Sequence, residues 1–405
     1  MSSEIRQLID YRNDRDATLK LIDWFDVERV RSAKVMVVGA GAIGNEVLKN
    51  LALLGIGHVF IVDRDTIEMS NLSRSVLYRA ADNGADKVAV AARAVRELNP
   101  AVKTTWQKGD VTLDVGLGLL RRMDVIIGCL DNNQARLYIN RACWKVGKPW
   151  IDAGIGQLNG QVRVFVPGNG ACYECALSEA QYEEMRIPCN LLASKYETEG
   201  KIPTTPTIAS IMGAVQAQEA LKLLDASRWE GRTLSGREFL FNGTVGESSV
   251  VTLPVKENCF AHSALDFSKL VELNEASIAN TTANELLAIA RERLNDDVVI
   301  VLNFELCVEI RCPNCRQATR ALRPERKVYR EELRCDQCGQ ERYLVTTHTL
   351  GGVQTEYDED FLDMKLVDLG IPLLEILEAR RQNGVSVYLE LTGDAAKALS
   401  PTESG

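Results

Sequence analysis

The stretch that decides the fold is Lys34-Val35-Met36-Val37-Val38-Gly39-Ala40-Gly41-Ala42-Ile43-Gly44. Its apolar run predicts a buried strand, and its three glycines predict a tight turn into a helix. In such a turn Gly39 supplies the bend, Gly41 lets the backbone approach a phosphate, and Gly44 lets the helix pack on the sheet. The free N–H groups at the start of that helix favour anionic oxygen atoms. The stretch therefore predicts a nucleotide-binding strand–turn–helix unit.

The pattern around this unit predicts several more elements of the same kind. Strands are predicted at 34–39, 58–63, 102–107 and 124–129, with strand-rich sequence at 149–167 and a hairpin at 238–253. Helices are predicted over 84–99 and 207–224. The alternation in the first third is typical of parallel βαβ units. We therefore predict an α/β fold with a Rossmann-like, mixed but mainly parallel sheet.

Length and charge limit the possible organisation and partners. Because 405 residues exceed what one core usually organises, we predict domains at 1–264 and 265–405. A net charge of −9 argues against nucleic acid or an anionic membrane as partner, although a local basic groove is compatible with that total. No stretch approaches the roughly 20 apolar residues of a membrane helix. The first residues carry no apolar export signal, so we expect a cytoplasmic protein.

Two acidic residues at the end of the second predicted strand extend the nucleotide site. Asp63 stands 24 residues after Gly39, where a carboxylate binds ribose hydroxyls, and Asp65 follows it. By themselves, the glycines and Asp63 are as typical of an oxidoreductase that binds NAD or FAD as of an enzyme that binds ATP.

The residues that follow favour chemistry on the phosphates of ATP instead. Arg74 and Lys87 suit the charge that develops on phosphoryl oxygens, and Asn71 suits a hydrogen bond to a phosphate or ribose oxygen. Asp131, at the end of a predicted strand, suits Mg²⁺. Each has a simpler explanation: the cations as surface charges, and Asp131 as the cap of a helix beginning at Asn132. Together and in this order they favour adenylation, in which a carboxylate attacks the α-phosphate and pyrophosphate leaves.

Over about residues 10–262 the chain resembles the adenylation domain of ubiquitin-activating enzymes and the ThiF-type sulfur-carrier adenylyltransferases. The segments that carry the resemblance are Gly39–Gly44, Asp63–Arg74, Asp131-Asn132, Cys172–Cys175 and Ile211–Lys222. The resemblance implies adenylation of the carboxy-terminal glycine of a β-grasp protein, either ubiquitin-like or a sulfur carrier. The residues it implies for MgATP are Gly41, Asp63, Asn71, Arg74, Lys87 and Asp131.

The resemblance also includes the amino terminus. Arg12 and Arg15 match an arginine segment from which, in that family, an arginine reaches the γ-phosphate in the neighbouring subunit. This implies a homodimer in which Arg15 completes the partner's ATP site. Ser75 and Asp16 depart from the family pattern, since each stands where a glutamine is usual. Neither departure removes a charged group.

Two Cys-x-x-Cys pairs have the spacing of a zinc ribbon. Cys312 and Cys315 are separated by 19 residues from Cys335 and Cys338. Two tight turns that each supply two thiolates predict a tetrahedral Cys₄ zinc site, and Gly339 suits the second turn. A redox dithiol is the alternative.

A third pair, Cys172 and Cys175, needs partners. The resembling family completes a zinc site with a second pair after the last strands of the domain, and here that place holds Cys259 and His262. The resemblance therefore implies a Cys₃His zinc site. Pairing with cysteines of the ribbon and free buried thiols are the alternatives.

Cys189 lies in the crossover before the long helix. Members of the resembling family that form a thioester carry their nucleophile in this crossover, which implies transfer of the carrier to Cys189 and then to a conjugating enzyme. Nearby Arg186 and Lys195 favour a thiolate. The alternatives are a core cysteine, as predicted for Cys129, Cys143 and Cys307, and an enzyme that stops at the adenylate and serves a sulfur donor.

The carboxy-terminal part is predicted to be a smaller α+β domain with the zinc ribbon and a flexible tail. A helix is predicted near 282–293 and a strand at 298–302. Asp368–Ile376 is predicted as a turn that enters an amphipathic helix. The acidic stretch Glu356–Asp360 is predicted to be a solvated face, with docking of a basic protein as the alternative. The part has no rhodanese-like loop, so sulfur is expected to come from another protein.

Overall fold

The structure is a computed structural model, and it describes residues 12–181, 203–351, 361–381 and 384–400. Cys189 and the acidic stretch Glu356–Asp360 lie outside the described residues, so both predictions stay predictions. Among the helices in these ranges, none combines the length and apolar character needed to cross a bilayer.

An eight-stranded sheet organises the first part of the chain. Its strands are β1 (Lys34–Val38), β2 (His58–Asp63), β3 (Lys103–Lys108), β4 (Val125–Gly128), β5 (Trp150–Gly156), β6 (Asn159–Phe165), β7 (Arg237–Asn242) and β8 (Glu247–Thr252). Their order is β3-β2-β1-β4-β5-β6-β7-β8, parallel from β3 to β5 and antiparallel from β5 to β8. The predicted mixed, mainly parallel sheet is confirmed.

Helices cover both faces of this sheet. They are α1 (Val27–Ser32), α2 (Ala42–Leu54), α3 (Lys87–Leu98), α4 (Val111–Asp114), α5 (Leu117–Arg121), α6 (Asn133–Val146) and α7 (Pro206–Leu224). Alternate side chains of β1 enter two cores, since Val35 and Val37 pack with α2, α3 and α7, whereas Met36 and Val38 pack with α5 and α6. A strand buried on both faces has to be continuously apolar, which is the pattern of β1.

The order of the strands places a crevice beside β1. The helix after β1 packs on one face of the sheet, and the helix after β4 packs on the other. Neighbouring parallel strands whose connections leave on opposite faces open a crevice at their carboxyl ends, and ligands bind there in such sheets. Gly39 and Asp131 both follow strands at this edge.

A second, mostly antiparallel sheet organises the carboxy-terminal part. Its strands are β9 (Leu270–Leu273), β10 (Val298–Arg311), β11 (Ala318–Pro324), β12 (Tyr343–Leu350), β13 (Ile376–Arg381) and β14 (Ser386–Leu391), with helices α8 (Ala283–Leu294) and α9 (Ala395–Leu399). The order is β11-β10-β13-β14-β9, and β12 also pairs with β10. The predicted helix near 282–293 and strand at 298–302 are present as α8 and the start of β10.

The prediction of a helix after Asp368 is wrong. The chain turns at Gly370, runs without regular structure to Glu375 and enters β13. The reason is a backbone contact with Gly118, whose N–H donates to the Leu374 carbonyl at 2.8 Å. A Cβ at Gly118 would lie 2.5 Å from that oxygen, so only glycine permits the contact. This long-range packing overrides the local apolar spacing.

The two sheets share part of one core. Leu374, Ile376 and Ala398 belong to the same buried cluster as Met36 and Val38. The predicted domain boundary at residue 264 therefore stays a proposal, although the second sheet begins six residues later, at β9.

Candidate active site and metal centres

The glycine turn has no room for side chains at two of its three glycines. Gly39 adopts a φ of +96°, and a Cβ there would lie 2.3 Å from the Cys129 carbonyl oxygen. A Cβ at Gly44 would lie 2.0 Å from the Gly39 carbonyl oxygen. At Gly41, by contrast, no described atom outside Gly41 and its two neighbours in the chain lies within 4 Å of such a Cβ. Gly39 and Gly44 are thus required by the turn itself, and Gly41 faces open space at the start of α2.

Asp63 joins this turn to the next strand. Its two carboxylate oxygens accept the backbone N–H groups of Ala40 at 2.6 Å and Asp65 at 2.8 Å. Burial raises the pKa of Asp63 above its ordinary value, and the nearby Lys87 ammonium acts in the opposite direction. A carboxylate oxygen has more than one lone pair, so each oxygen can still accept a ribose hydroxyl.

Lys87 extends these contacts. It is the first residue of α3, it is buried, and its Nζ donates to Asp65 Oδ2 at 2.7 Å. The structure thus connects the glycine turn, Asp63, Asp65 and Lys87 through direct contacts. The explanation of Lys87 as a solvated surface charge is wrong, because Lys87 is buried and its ammonium is paired with Asp65, as a buried charge requires.

Asp131 lies exposed at the end of the neighbouring strand. The cap of α6 is Asn132, whose side chain accepts the Ala135 N–H at 2.8 Å. The capping explanation for Asp131 is therefore wrong, and its carboxylate stays available at the crevice.

Asn71 and Arg74 lie in the segment that follows Asp65. Asn71 is buried and its Oδ1 accepts the Glu68 N–H at 3.0 Å, while the half-buried Arg74 donates to the Ser70 carbonyl at 2.8 Å. Both bonds lie within this segment and order it, and neither of them involves Lys87 or Asp63. Their predicted role at ATP remains a prediction.

Two buried residues that the sequence analysis missed attach this segment to the turn. Asn45 donates to the carbonyls of Ala40 at 2.8 Å and Gly41 at 3.0 Å, and its Oδ1 accepts the Leu77 N–H at 2.9 Å. The Tyr78 hydroxyl donates to the Ala40 carbonyl at 2.6 Å, and burial raises the pKa of Tyr78. The available signal was one asparagine in the apolar face of α2.

Arg15 does not join the nucleotide site of its own chain. It is exposed and lines a cavity of about 560 Å³ with Lys34, His58 and Lys103, at the starts of β1, β2 and β3. The glycine turn lies at the other end of β1, about 17 Å away for a five-residue strand. Any contact of Arg15 with ATP therefore requires another subunit.

The first sulfur cluster contains the four predicted residues. The ligand atoms of Cys172, Cys175, Cys259 and His262 all lie within 4.8 Å of one another. Cys172 Sγ is 3.7 Å from Cys175 Sγ and 3.6 Å from Cys259 Sγ. Two thiolates on a tetrahedral zinc with 2.3 Å bonds lie about 3.8 Å apart, so these donors fit zinc. The cluster does not use a pair from the ribbon.

Neighbouring groups hold the ligands of this cluster in place. The His262 ring stacks on Trp144 with centroids 4.3 Å apart, and burial lowers the pKa of His262, which favours the neutral form that binds metal. The Lys256 N–H donates to Cys175 Sγ at 3.4 Å. Such outer contacts are typical of metal sites.

The second cluster has two matching turns. Cys312 Sγ is 3.4 Å from Cys338 Sγ, and Cys315 Sγ is 3.5 Å from Cys335 Sγ. These distances are too long for disulfides and suit a Cys₄ zinc site. Gly339 has a φ of +71°, as the second turn requires. The N–H of Cys338 lowers the pKa of Cys335 to about 6, so its thiolate is populated at neutral pH.

Comparisons with known proteins agree on one family. The ThiF family model matches residues 13–261. "Adenylyltransferase and sulfurtransferase MOCS3" of Bos taurus is 32% identical over 225 residues, 56% of this chain and 47% of that protein. "Sulfur carrier protein adenylyltransferase" of Thermus thermophilus is 33% identical over 242 residues, 57% of this chain and 82% of that protein.

A relative of another kind covers less of the chain. "SUMO-activating enzyme subunit uba-2" of Caenorhabditis elegans is 38% identical over 149 residues, 36% of this chain and 26% of that protein. The chain thus spans about half, or less, of the length of the first relatives it matches. The family model matches more than half of this chain, and the glycine turn, Asp63, Lys87 and Asp131 all lie inside the matched range. The chain belongs to the ThiF family.

Proposed function

We propose that this chain is an ATP-dependent adenylyltransferase that acts on the carboxy-terminal glycine of a small β-grasp carrier protein. The carrier carboxylate attacks the α-phosphorus of ATP, the bond from that phosphorus to the bridging oxygen breaks, and pyrophosphate leaves. The observation that supports this most is the series of direct contacts from the glycine turn through Asp63 and Asp65 to Lys87. The exposed Asp131 follows β4, the strand that pairs with β1 in parallel.

We assign each residue one role in this reaction. Asp63 binds the ribose, and the open backbone at Gly41 receives the phosphates at the start of α2. Before ATP binds, Asp65 holds the Lys87 ammonium at the site. When ATP binds, the ammonium bonds to a phosphoryl oxygen instead and stabilises the negative charge that develops on the leaving pyrophosphate. Arg74 supplies a second cation. Asp131 is the residue we assign to Mg²⁺, which neutralises phosphate charge when it is bound.

Two structural zinc ions and a homodimer complete the proposal. The two clusters have the ligand types and separations of zinc sites, and closed four-ligand sites leave no position for catalysis. Arg15 lies on the wrong edge of the sheet for its own site, which supports a role in the site of a partner subunit.

A second step of the proposed reaction concerns what happens to the carrier after adenylation. We propose that the Cys189 thiolate attacks the acyl carbon of the adenylate, so that a thioester forms, the bond to the phosphate breaks and AMP leaves, and that the carrier then passes to a conjugating enzyme. Sulfur-carrier activation that stops at the adenylate is the alternative. The names of the relatives include both kinds. A thiol-sensitive carrier adduct that is lost in Cys189→Ala supports the thioester, and an adduct that persists in this variant contradicts it.

The experiment for the adenylation itself is exchange of labelled pyrophosphate into ATP. The carrier is sought among small proteins that end in glycine and co-purify with this chain. We expect exchange that depends on the carrier and falls at least about 100-fold in Arg74→Ala. Unchanged exchange in that variant would contradict the assignment of Arg74, and binding of a nicotinamide cofactor without ATP binding would favour an oxidoreductase.

A further inference from the structure

The loop that carries Asp131 leaves the sheet where its strand has stopped pairing. The ladder between β4 and β5 ends at the pair Gly128 and Asp152. Residues 129–132 then lead to α6, and the Asp131 side chain is exposed. The sheet ladder alone therefore does not fix the position of this carboxylate.

A buried arginine makes the bonds that the ladder does not. Arg136, in the first turn of α6, donates through Nη2 to the carbonyls of Leu130 at 2.6 Å and Ala153 at 3.1 Å. Its Nε donates to Asp152 Oδ1 at 2.8 Å. The side chain of Asp152 is 1% exposed and that of Arg136 is 13% exposed. One guanidinium thus joins β5 to the residue directly before Asp131.

Gln216 holds the same strand ends from the opposite face. It lies on α7, is fully buried, and its Nε2 donates to the carbonyls of Gly128 at 2.9 Å and Ile151 at 3.4 Å. The ends of β4 and β5 are therefore fixed from both sides of the sheet. On the Gln216 side the contacts extend to Cys129, whose Sγ donates to Gln216 Oε1 at 3.6 Å, whereas Arg136 reaches Leu130, directly before Asp131.

We propose that Arg136 is a positioning residue that holds the Leu130 carbonyl, and thereby the Asp131 carboxylate, in the geometry that Mg²⁺ binding requires. The inference rests on the proposed function, which assigns Asp131 to the metal. Mg²⁺ demands near-ideal octahedral geometry with bonds of about 2.0–2.1 Å, so a displaced carboxylate binds it poorly. The planar fork of arginine reaches a carboxylate and two carbonyls at once, and a lysine ammonium cannot reproduce this arrangement.

The test measures binding of the fluorescent analogue mant-ATP while Mg²⁺ is titrated. In Arg136→Gln we expect the Mg²⁺ concentration at half-saturation to rise about 10–100-fold, the usual cost of losing an outer contact to a metal ligand. Arg136→Lys should show a rise as well. Binding of mant-ATP without metal should stay within about twofold of the wild type, because Arg136 acts on the metal ligand and not on the nucleotide.

Arg122→Gln is the matched control. Arg122 also pairs with a buried carboxylate, that of Glu390, but it lies on the segment after α5, away from the Asp131 loop. This variant should melt at a lower temperature and keep the wild-type Mg²⁺ requirement. If Arg136→Gln fails to fold, Asp152→Asn weakens the same arrangement. It should raise the Mg²⁺ requirement and speed hydrogen exchange in residues 129–132.

Three results would overturn the inference. If Arg136→Gln only melts earlier, as the control does, the arginine is merely structural. If metal-free and Mg²⁺-dependent binding fall by the same factor, Arg136 contacts the nucleotide itself. If wild-type mant-ATP binding shows no dependence on Mg²⁺ and Asp131→Asn leaves it unchanged, the assignment of Asp131 is wrong. That third result contradicts the proposed function as well, whereas the first two leave it intact.

Discussion

A buried carboxyl group at the junction of the two sheets makes the stability of this protein depend on pH. Glu375 is 2% exposed, and its Oε1 accepts the N–H groups of Leu117 at 3.2 Å and Ile376 at 2.8 Å. The amide of Asn303 donates to the same oxygen at 3.2 Å. Burial disfavours the charged form and raises the pKa of Glu375 from 4.5 to about 7. We predict that Glu375→Gln stabilises the protein at alkaline pH and has little effect at acidic pH.

The sign and size of the effect follow from the two pKa values. Between pH 4.5 and about 7 the folded chain keeps this proton while the unfolded chain releases it, so stability falls as pH rises. One pKa unit corresponds to about 1.4 kcal/mol, which gives about 3 kcal/mol at most for the whole interval. A glutamine does not titrate, and its Oε1 can accept the same three hydrogen bonds. The variant should therefore gain up to about 3 kcal/mol over the wild type at pH 8 and almost nothing at pH 4.5.

The assay is urea unfolding of both proteins at several pH values and constant ionic strength. Glu292→Gln is the control, because Glu292 is exposed on α8 and its replacement should change stability equally little at every pH. A difference between Glu375→Gln and the wild type that stays constant with pH would refute the argument. A variant less stable than the wild type at pH 8 would refute it as well.

Three further predictions concern the glycine turn, the metal clusters and the cation at the site. Gly44→Ala should abolish mant-ATP binding and lower the melting temperature, because its Cβ would lie 2.0 Å from the Gly39 carbonyl oxygen, whereas Gly41→Ala should melt like the wild type. Cys335→Ser should reduce the zinc content from two ions per chain to one in elemental analysis, while replacement of the buried Cys143 should leave both. Lys87→Met should slow pyrophosphate exchange at least about 100-fold with an unchanged circular dichroism spectrum, since its partner Asp65 is exposed; exchange at the wild-type rate would contradict the role of Lys87.

The parallel half of the fold was predictable because its signals are local. The run Val35–Val38 is apolar and buried on both faces, and the predicted strand at 34–39 corresponds to β1 at 34–38. The long helix predicted over 207–224 is α7 at 206–224, where Thr205 caps the helix and Pro206 occupies its first turn. In both cases a periodic pattern and its end signals lie within one segment.

The features that the sequence did not reveal depend on residues far apart in the chain. The segment before β13 avoids the predicted helix because Leu374 bonds to Gly118, more than 250 residues away. In the sequence, Asn45 and Arg136 cannot be distinguished from ordinary polar residues of a helix. Their roles follow from the backbone carbonyls of Ala40 and Leu130 to which their side chains donate in the folded chain. The position of Arg15 relative to the glycine turn likewise follows from strand direction and not from spacing.

Adenylation differs from γ-phosphoryl transfer in the phosphorus of ATP that is attacked, and the reaction products identify that phosphorus. The protein is incubated with ATP, Mg²⁺ and a glycine-terminal carrier, and the products are followed by ³¹P nuclear magnetic resonance. We predict pyrophosphate together with the carrier–AMP mixed anhydride, or with the AMP released when a thiol or water takes its acyl group, formed only with the carrier and lost in Asp131→Asn. ADP and inorganic phosphate as the products would mean attack at the γ-phosphorus, and would contradict adenylation.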